Sequence, residues 1–592
     1  MTIRIIRTAT LGLPVGTIRT LPAATEAALV ADKEAVYDTS PGAASGSAPV
    51  TADAAGNLYA NGQLFQASVS GAGKGSTIAI LGNSITAQAR PLVNNETYSA
   101  GNWTPGGAVT SGQTILAQTM DLRNGLQFVK WQALNNGVMG GTEPVWPLTV
   151  GSTVLDGTVT WQTVATTNTQ ALWGLSWWSI AQALAGQPLD EIFFVGQSGR
   201  QSDTILAKVP EVLAANPDVV FFANVFENDV WPGSAPTLTT ISARFDAYVV
   251  AVDSARNAGK KVIVQTLLPS GNTDASSAFT GYSRGNGSKA YVWLNTKIRE
   301  MARARRDVIL FEPDLLYLDP AQTSGAPWPE NTTTYLSKGG SGQQLKKTDG
   351  IHPYLAAAWI IGSALATILK ANFSAPARFG FAADETAKSE SPGPLKGGSR
   401  AAGGGDSGVT GTIAAGANYN INNYTGAGGG TGTASLVART DISGNWQRLV
   451  YAATSNGDGG VQAASGIPLA PFTVGTVVQR FVEERVLASG LTAFQQFQNL
   501  FRFTGAGSAY DCTSGSFDGV YGNNTTGQDL GQFITADTTF VWKTPPVAIP
   551  TGTTAFEVYD KFNFRSVGAP SAGTLDWGRG SIMRWRATNA LT

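Results

Sequence analysis

Between Gly75 and residue 372, short apolar runs alternate with stretches of helical period, and this alternation restricts the fold more than any other feature of the chain. Ile78–Leu81, Ile192–Val195, Val219–Ala223, Val262–Leu267 and Val308–Phe311 have the length and continuity of buried parallel strands. Between them, Ile241, Phe245, Tyr248, Val249 and Val252 share one face of a helix that ends at Gly259. Leu294, Ile298 and Met301 do the same for the next helix, and the apolar run 354–369 closes the series. Strands alternating with helices predict an α/β fold, a doubly wound parallel sheet in three layers, with its site at the carboxyl ends of the strands.

The alternation spans a domain at 75–374 and is broken once, at 91–168. That stretch is rich in Gly, Thr and Trp and shows strand-like alternation without helical period, so it reads as an inserted β module beside the site. Residues 1–40 read as an N-terminal attachment segment, with a β-like start (IRIIRTATL) and a helix-like run from Ala23 to Tyr37. Low-complexity text at 41–74 and 375–408 reads as a connector and a Gly/Ser/Pro linker. The many short, glycine-punctuated strands of 409–592 predict a C-terminal β-sandwich. Its Trp446, Tyr451 and Trp577 are ordinary core residues on base rates, with sugar stacking as the alternative.

Composition narrows the function. A chain of 592 residues with 14% charged residues and a net charge of −1 has no global positive field for nucleic acid or an anionic membrane. One cysteine, Cys512, excludes an intrachain disulfide, and one cysteine with one histidine cannot build a His/Cys zinc site. The opening MTIRIIRTATLGLPVG is interrupted by Arg4 and Arg7, so a cleaved signal peptide is not indicated, and 354–369 is too short and too punctuated to span a bilayer.

Ester hydrolysis needs an oxygen nucleophile, a base, a group that orients the base, and donors for the oxyanion. Gly82-Asn83-Ser84-Ile85 ends the first strand and puts the Ser84 hydroxyl at its carboxyl edge, where Gly82 would permit a sharp turn; taken alone, such a serine is more often a helix N-cap. Gly199, in the loop GQSGRQSDT, can bring a backbone N–H close to a substrate oxygen, or is simply a turn glycine. Asn228 can donate a side-chain amide to an oxyanion or tie down its own loop, and Asp229 reads as holding loop geometry. His352 is the only histidine, so any imidazole proton transfer must use it, and Asp349 stands three residues before it in the turn Asp349-Gly350-Ile351-His352-Pro353.

The ordered set GNS, SGRQS, END and DGIHP resembles the four sequence blocks of SGNH (GDSL-like) hydrolases, over about residues 75–372 without the insertion. The resemblance implies a serine carboxylic-ester hydrolase that needs no metal or organic cofactor. It assigns Ser84 as nucleophile, His352 as base, Asp349 as the orienting acid, and Gly199 and Asn228 with the Ser84 backbone as oxyanion donors. Asn83 stands where the family usually has Asp, and Phe226 where its third block usually has Gly.

The opening segment, the DGTVTW-type insertion and the terminal β region more loosely resemble bacteriophage or prophage tail fibre and tailspike proteins. That resemblance implies an enzyme in the virion tail that acts at the bacterial surface and removes O-acetyl or similar groups from an acetylated bacterial polysaccharide. Tail or baseplate proteins would be its partners and a homotrimer its assembly, although no heptad run supports the trimer. The alternatives are a free carbohydrate esterase with binding modules, a lipase or thioesterase, and a non-catalytic adhesin with a degenerate hydrolase domain.

Overall fold

The structure, a computed structural model, describes short strands within 2–64, then 75–87, 107–140, 151–172, 177–230, 237–268, 286–316, 353–379, 386–453, 458–515, 530–565 and 570–585, with short gaps inside several of these ranges. By its internal contacts the chain divides into Met1–Gly71 and Ala72–Thr592. In the first unit, Thr2–Ile5 pairs antiparallel with both Ile18–Thr20 and Ala35–Tyr37. Ala35–Tyr37 is therefore strand, not the end of the helix expected over Ala23–Tyr37. Val36 and Tyr37 are residues that favour a pleated partner, and Thr2–Ile5 supplies the hydrogen bonds. Within 41–74, composed like a connector, Val50–Ala52, Leu58–Ala60 and Gln63–Leu64 pair as a small antiparallel sheet.

The second unit is built on a five-stranded parallel sheet. Its strands are β1 (Ser76–Asn83), β2 (Leu189–Gln197), β3 (Val219–Phe222), β4 (Lys261–Gln265) and β5 (Val308–Phe311), in the spatial order β2-β1-β3-β4-β5. Every residue of β1 after Ser76 is buried, as expected for a central parallel strand covered on both faces. Its side chains alternate between two cores. Ala79 and Leu81 join Val220, Phe222, Ile241, Tyr248, Leu294 and Ile298, whereas Ile78 and Ile80 face Trp177, Phe221, Ile361 and Leu365.

The first core is closed by α6 (Leu238–Asn257) and α7 (Asn286–Ala304), in a helix series that also includes α1 (Ser84–Ala87), α2 (Trp177–Leu184), α3 (Ser202–Leu206), α4 (Val209–Ala214) and α5 (Glu227–Val230). The hydroxyl of Thr237 caps α6 by accepting from the Thr240 N–H, and Gly259, with φ +74°, lets the chain turn back towards β4. The second core is closed by α2 and by α8 (Leu355–Asn372), the helix expected over 354–369. Among the described residues no helix is long and apolar enough to cross a membrane.

The rest of the unit is β. In the inserted stretch, Thr114–Asp121, Gly125–Ala133, Thr153–Asp156 and Val159–Ala165 pair antiparallel around a small core of Val109, Ala133, Met139, Val159 and the fully buried Trp161. The C-terminal region forms two sheets whose inner faces meet, the packing of a sandwich: Phe562 lies 5.1 Å from Trp577, and Tyr451 stacks on Phe564 at 4.9 Å. Trp446, Tyr451 and Trp577 are all buried.

The β regions do not stand apart from the α/β layer. Leu126 of the insertion pairs in parallel with Val547, Ala171 with Cys512, and Trp359 of α8 packs on Phe540 at 5.6 Å.

Candidate active site

All five strands run parallel, and the direction of winding along the sheet reverses between β1 and β3, the switch point at whose carboxyl ends such sheets place their sites. Ser84 stands there, half-buried, as the first residue of α1. The turn that carries it is bonded on every side. Asn83 is fully buried; its N–H donates to the Asn224 carbonyl at 3.2 Å, and its Oδ1 accepts from the Ile85 N–H at 3.0 Å. The capping bond of α1 is thus made by Asn83, and the commonest structural explanation of a serine after a strand belongs to its neighbour.

Gly82 serves a different purpose from the one its position predicts. Its backbone is not in the left-handed region; instead, a Cβ on it would lie 1.8 Å from the Ala223 carbonyl oxygen and 2.0 Å from Thr86 Oγ1. Close approach of β1 to β3 excludes a side chain there. Thr86 Oγ1 donates to that same Ala223 carbonyl at 2.7 Å, which ties α1 to the end of β3.

The amide at Asn83 also has a structural reason. Asn83 Nδ2 donates to Glu227 Oε2 at 2.8 Å, and Glu227 is itself only 3% exposed. An aspartate at this position would set two carboxylates together away from water, whereas an amide satisfies the one already present. The other oxygen, Oε1, accepts from the Leu268 N–H at 3.4 Å, so Glu227 links the Ser84 turn to the segment just after β4.

Gln197, at the end of β2, pairs with Asn83 across the sheet, so the following loop leaves the sheet beside Ser84. Gly199 in that loop lies outside the described residues, but Arg200, Gln201 and Ser202 are described. They are bonded to the third block. Asn228, half-buried, donates one Nδ2 hydrogen to the Arg200 carbonyl at 2.8 Å, leaving its second N–H as the candidate oxyanion donor.

Asp229, 1% exposed, accepts from the Ser202 N–H at 2.9 Å through Oδ2 and from Arg244 of α6 through Oδ1; Arg244 Nη2 in turn donates to Gln201 Oε1 at 2.6 Å. Burial pushes the Asp229 carboxyl up to about 6, against the pull of Arg244 and the Ser202 N–H in the opposite direction.

Phe226 belongs to the core. It is buried against Tyr248 of α6, with ring centroids 5.0 Å apart, and the positive φ of this turn is taken by Asn224, at +51°. The Asn224 side chain is held by Gln265 Nε2 at 2.9 Å.

Asp349 and His352 lie outside the described residues; Pro353 is buried just before α8 begins. Of the sequence-derived set, then, Ser84 and Asn228 lie on the short helices that follow the neighbouring strands β1 and β3, and Arg200, next to Gly199, is bonded to Asn228. Asp229 holds loop geometry as expected. Glu227, Arg244 and Gln201 were not legible as site residues, because their partners lie 144, 15 and 43 positions away in sequence. The charge of Arg244, three residues after the core residue Ile241, was the available signal. Among the described residues no group of three or more His, Cys, Asp or Glu side chains could hold a metal ion.

No known protein family and no curated protein matches the chain. Among solved structures it is similar to a GDSL-like lipase from Bacteroides thetaiotaomicron, at 16% identity over 30% of this chain and 76% of that one, with a TM-score of 0.23. It is also similar to a mutant of an acetyl-xylooligosaccharide esterase from Geobacillus, at 13% identity over 51% of this chain and 96% of that one, with a TM-score of 0.26. A carbohydrate-binding module solved with β-1,4-galactotriose matches at 4% identity over 28% of this chain and 88% of that one, with a TM-score of 0.17. At these scores the likeness carries no argument, and the functional reading stands on the chain's own residues and strand order.

Proposed function

We propose that the chain is a serine ester hydrolase. The observation that carries this reading is that β1 and β3 pair in parallel, so that Ser84 follows the carboxyl end of one and the amide donor Asn228 the carboxyl end of the other, with Asn228 bonded to the segment following Gly199. In the proposed reaction His352, oriented by Asp349, takes the Ser84 proton as Ser84 Oγ attacks the ester carbonyl. Gly199, Asn228 and the Ser84 N–H stabilise the oxyanion, the alcohol leaves with the proton from His352, and water then releases the acid from the acyl-enzyme.

The finer reading is an O-deacetylase of acetylated bacterial surface polysaccharide, working in a phage or prophage tail. It is supported by the tail-like text of the opening segment and by the β regions that accompany the hydrolase layer.

The test compares wild type with Ser84→Ala and His352→Ala for acetate release from p-nitrophenyl acetate and from acetylated bacterial polysaccharide. We expect each variant to remain folded and lose on the order of a thousandfold or more in kcat. Greater kcat/KM on the polysaccharide would favour the deacetylase, and a preference for long acyl chains the lipase. A wild type inactive on every ester, or variants equal to it, would return the adhesin.

A further inference from the structure

The loop after β2 and the turn after β3 are joined by more bonds than two adjacent loops need. Asn228 Nδ2 donates to the Arg200 carbonyl at 2.8 Å and the Gln201 amide reaches back to the Asn228 carbonyl at 3.5 Å. Asp229 takes the Ser202 N–H at 2.9 Å, and Arg244 bridges the two segments by binding Asp229 with one nitrogen and Gln201 with another. Both loops are thereby referred to one rigid element, the 20-residue helix α6. The arrangement is costly, since Asp229 is 1% exposed and its charge has to be satisfied inside the protein.

We infer that Arg244, through Asp229 and Gln201, is a positioning residue for the oxyanion donors of the reaction proposed above. It touches no reacting atom. Its fork sets Asn228 against the Arg200 carbonyl, so that the remaining Asn228 N–H and the loop that follows Gly199 keep a fixed relation to Ser84. An oxyanion donor is effective only if its direction is set before charge develops, which is the service a half-buried guanidinium holding two partners in a rigid fork can give and a flexible ammonium cannot. The inference rests on the esterase reading, and it adds a residue outside the four sequence blocks.

The experiment uses the full chain and p-nitrophenyl acetate, with wild type, Ser84→Ala, Arg244→Ala, Arg244→Lys and, as a control that binds the same helix from outside it, Arg305→Ala. Arg305 binds Asp253 near the far end of α6, so its loss perturbs the helix without touching the loops. For Arg244→Ala we expect kcat to fall about 10- to 100-fold with KM within about twofold, the signature of an interaction made in the transition state. Arg244→Lys should recover little, and Arg305→Ala should keep wild-type kcat.

Hydrogen exchange supplies a second reading that does not need turnover: the Ser202 amide should lose protection in Arg244→Ala and keep it in Arg305→Ala. If wild type is active and Arg244→Ala matches it in kcat, or if Arg305→Ala loses as much, the positioning role is overturned while the esterase stands. Wild type no more active than Ser84→Ala overturns the esterase instead. Unchanged Ser202 protection in Arg244→Ala then removes the clasp as well.

Discussion

At the scale of single residues, the turn that carries Ser84 shows how the surroundings of a position decide which side chain suits it. Asn83 and Glu227 form one buried amide–carboxylate pair, so Asn83→Asp should be more harmful than its small change of shape indicates. We expect it to lower stability by about 2–3 kcal/mol at neutral pH, because a second carboxylate would be buried beside the first. The sign of its pH dependence follows. Crowded carboxyls are raised above their unfolded values, so protonation of one restores a donor–acceptor pair, and the deficit should shrink as pH falls and grow as pH rises through the raised value. Urea unfolding of both proteins between pH 4.5 and pH 8 would check this, and a deficit independent of pH would show that charge is not its cause. The sequence marks Asn83 as a departure from the resembling motif, but that Glu227 makes an amide suitable there was not legible, since the two residues lie 144 positions apart.

Among elements, the decisive contact is between β1 and β3. Their register sets Leu81 beside Phe222, and just beyond it Gly82 faces the Ala223 carbonyl with no room for a methyl group. Gly82→Ala should therefore force the strands apart or displace Thr86, at a cost of about 3 kcal/mol or more, and should reduce esterase activity in the fraction that folds. Thermal melting with activity measured on the same samples would reveal both effects. A variant with wild-type melting would mean that the two strands are not held as closely as described. The helix periods of α6 and α7 could be read directly from spacing, because amphipathic helices advertise their buried face. The strand Ala35–Tyr37 could not, since three residues carry too little period and were claimed by a partner strand.

For the molecule as a whole, the C-terminal β region is part of the wall of the α/β layer. Lys543, 4% exposed, reaches from the strand Thr538–Lys543 to the start of β2, where its Nζ donates to the Leu189 carbonyl at 2.7 Å and pairs with Glu191 Oε2 at 2.6 Å. Glu191 Oε1 meanwhile accepts from Trp178 Nε1 at 2.7 Å, within the core that Phe540 and Trp542 share with α2 and α8. Removing one partner of a buried pair leaves the other charge uncompensated, so Lys543→Ala should cost about 3–5 kcal/mol and destabilise both layers together. A single cooperative transition at lower denaturant would agree; loss of the β region alone, with the α/β layer unchanged, would not.

The sequence by itself determined the parallel strands, the amphipathic helices and the order in which the candidate catalytic residues occur, because buried strands, helix faces and short motifs are written in local spacing. Tertiary structure alone decided that the inserted strands meet the C-terminal sheet at Leu126 and Val547, that Lys543 closes the edge of β2, and that Arg244 bridges two loops. Each of these is a pairing of one donor or one strand edge with a partner far along the chain, and no local pattern identifies which of many equivalent candidates it will meet.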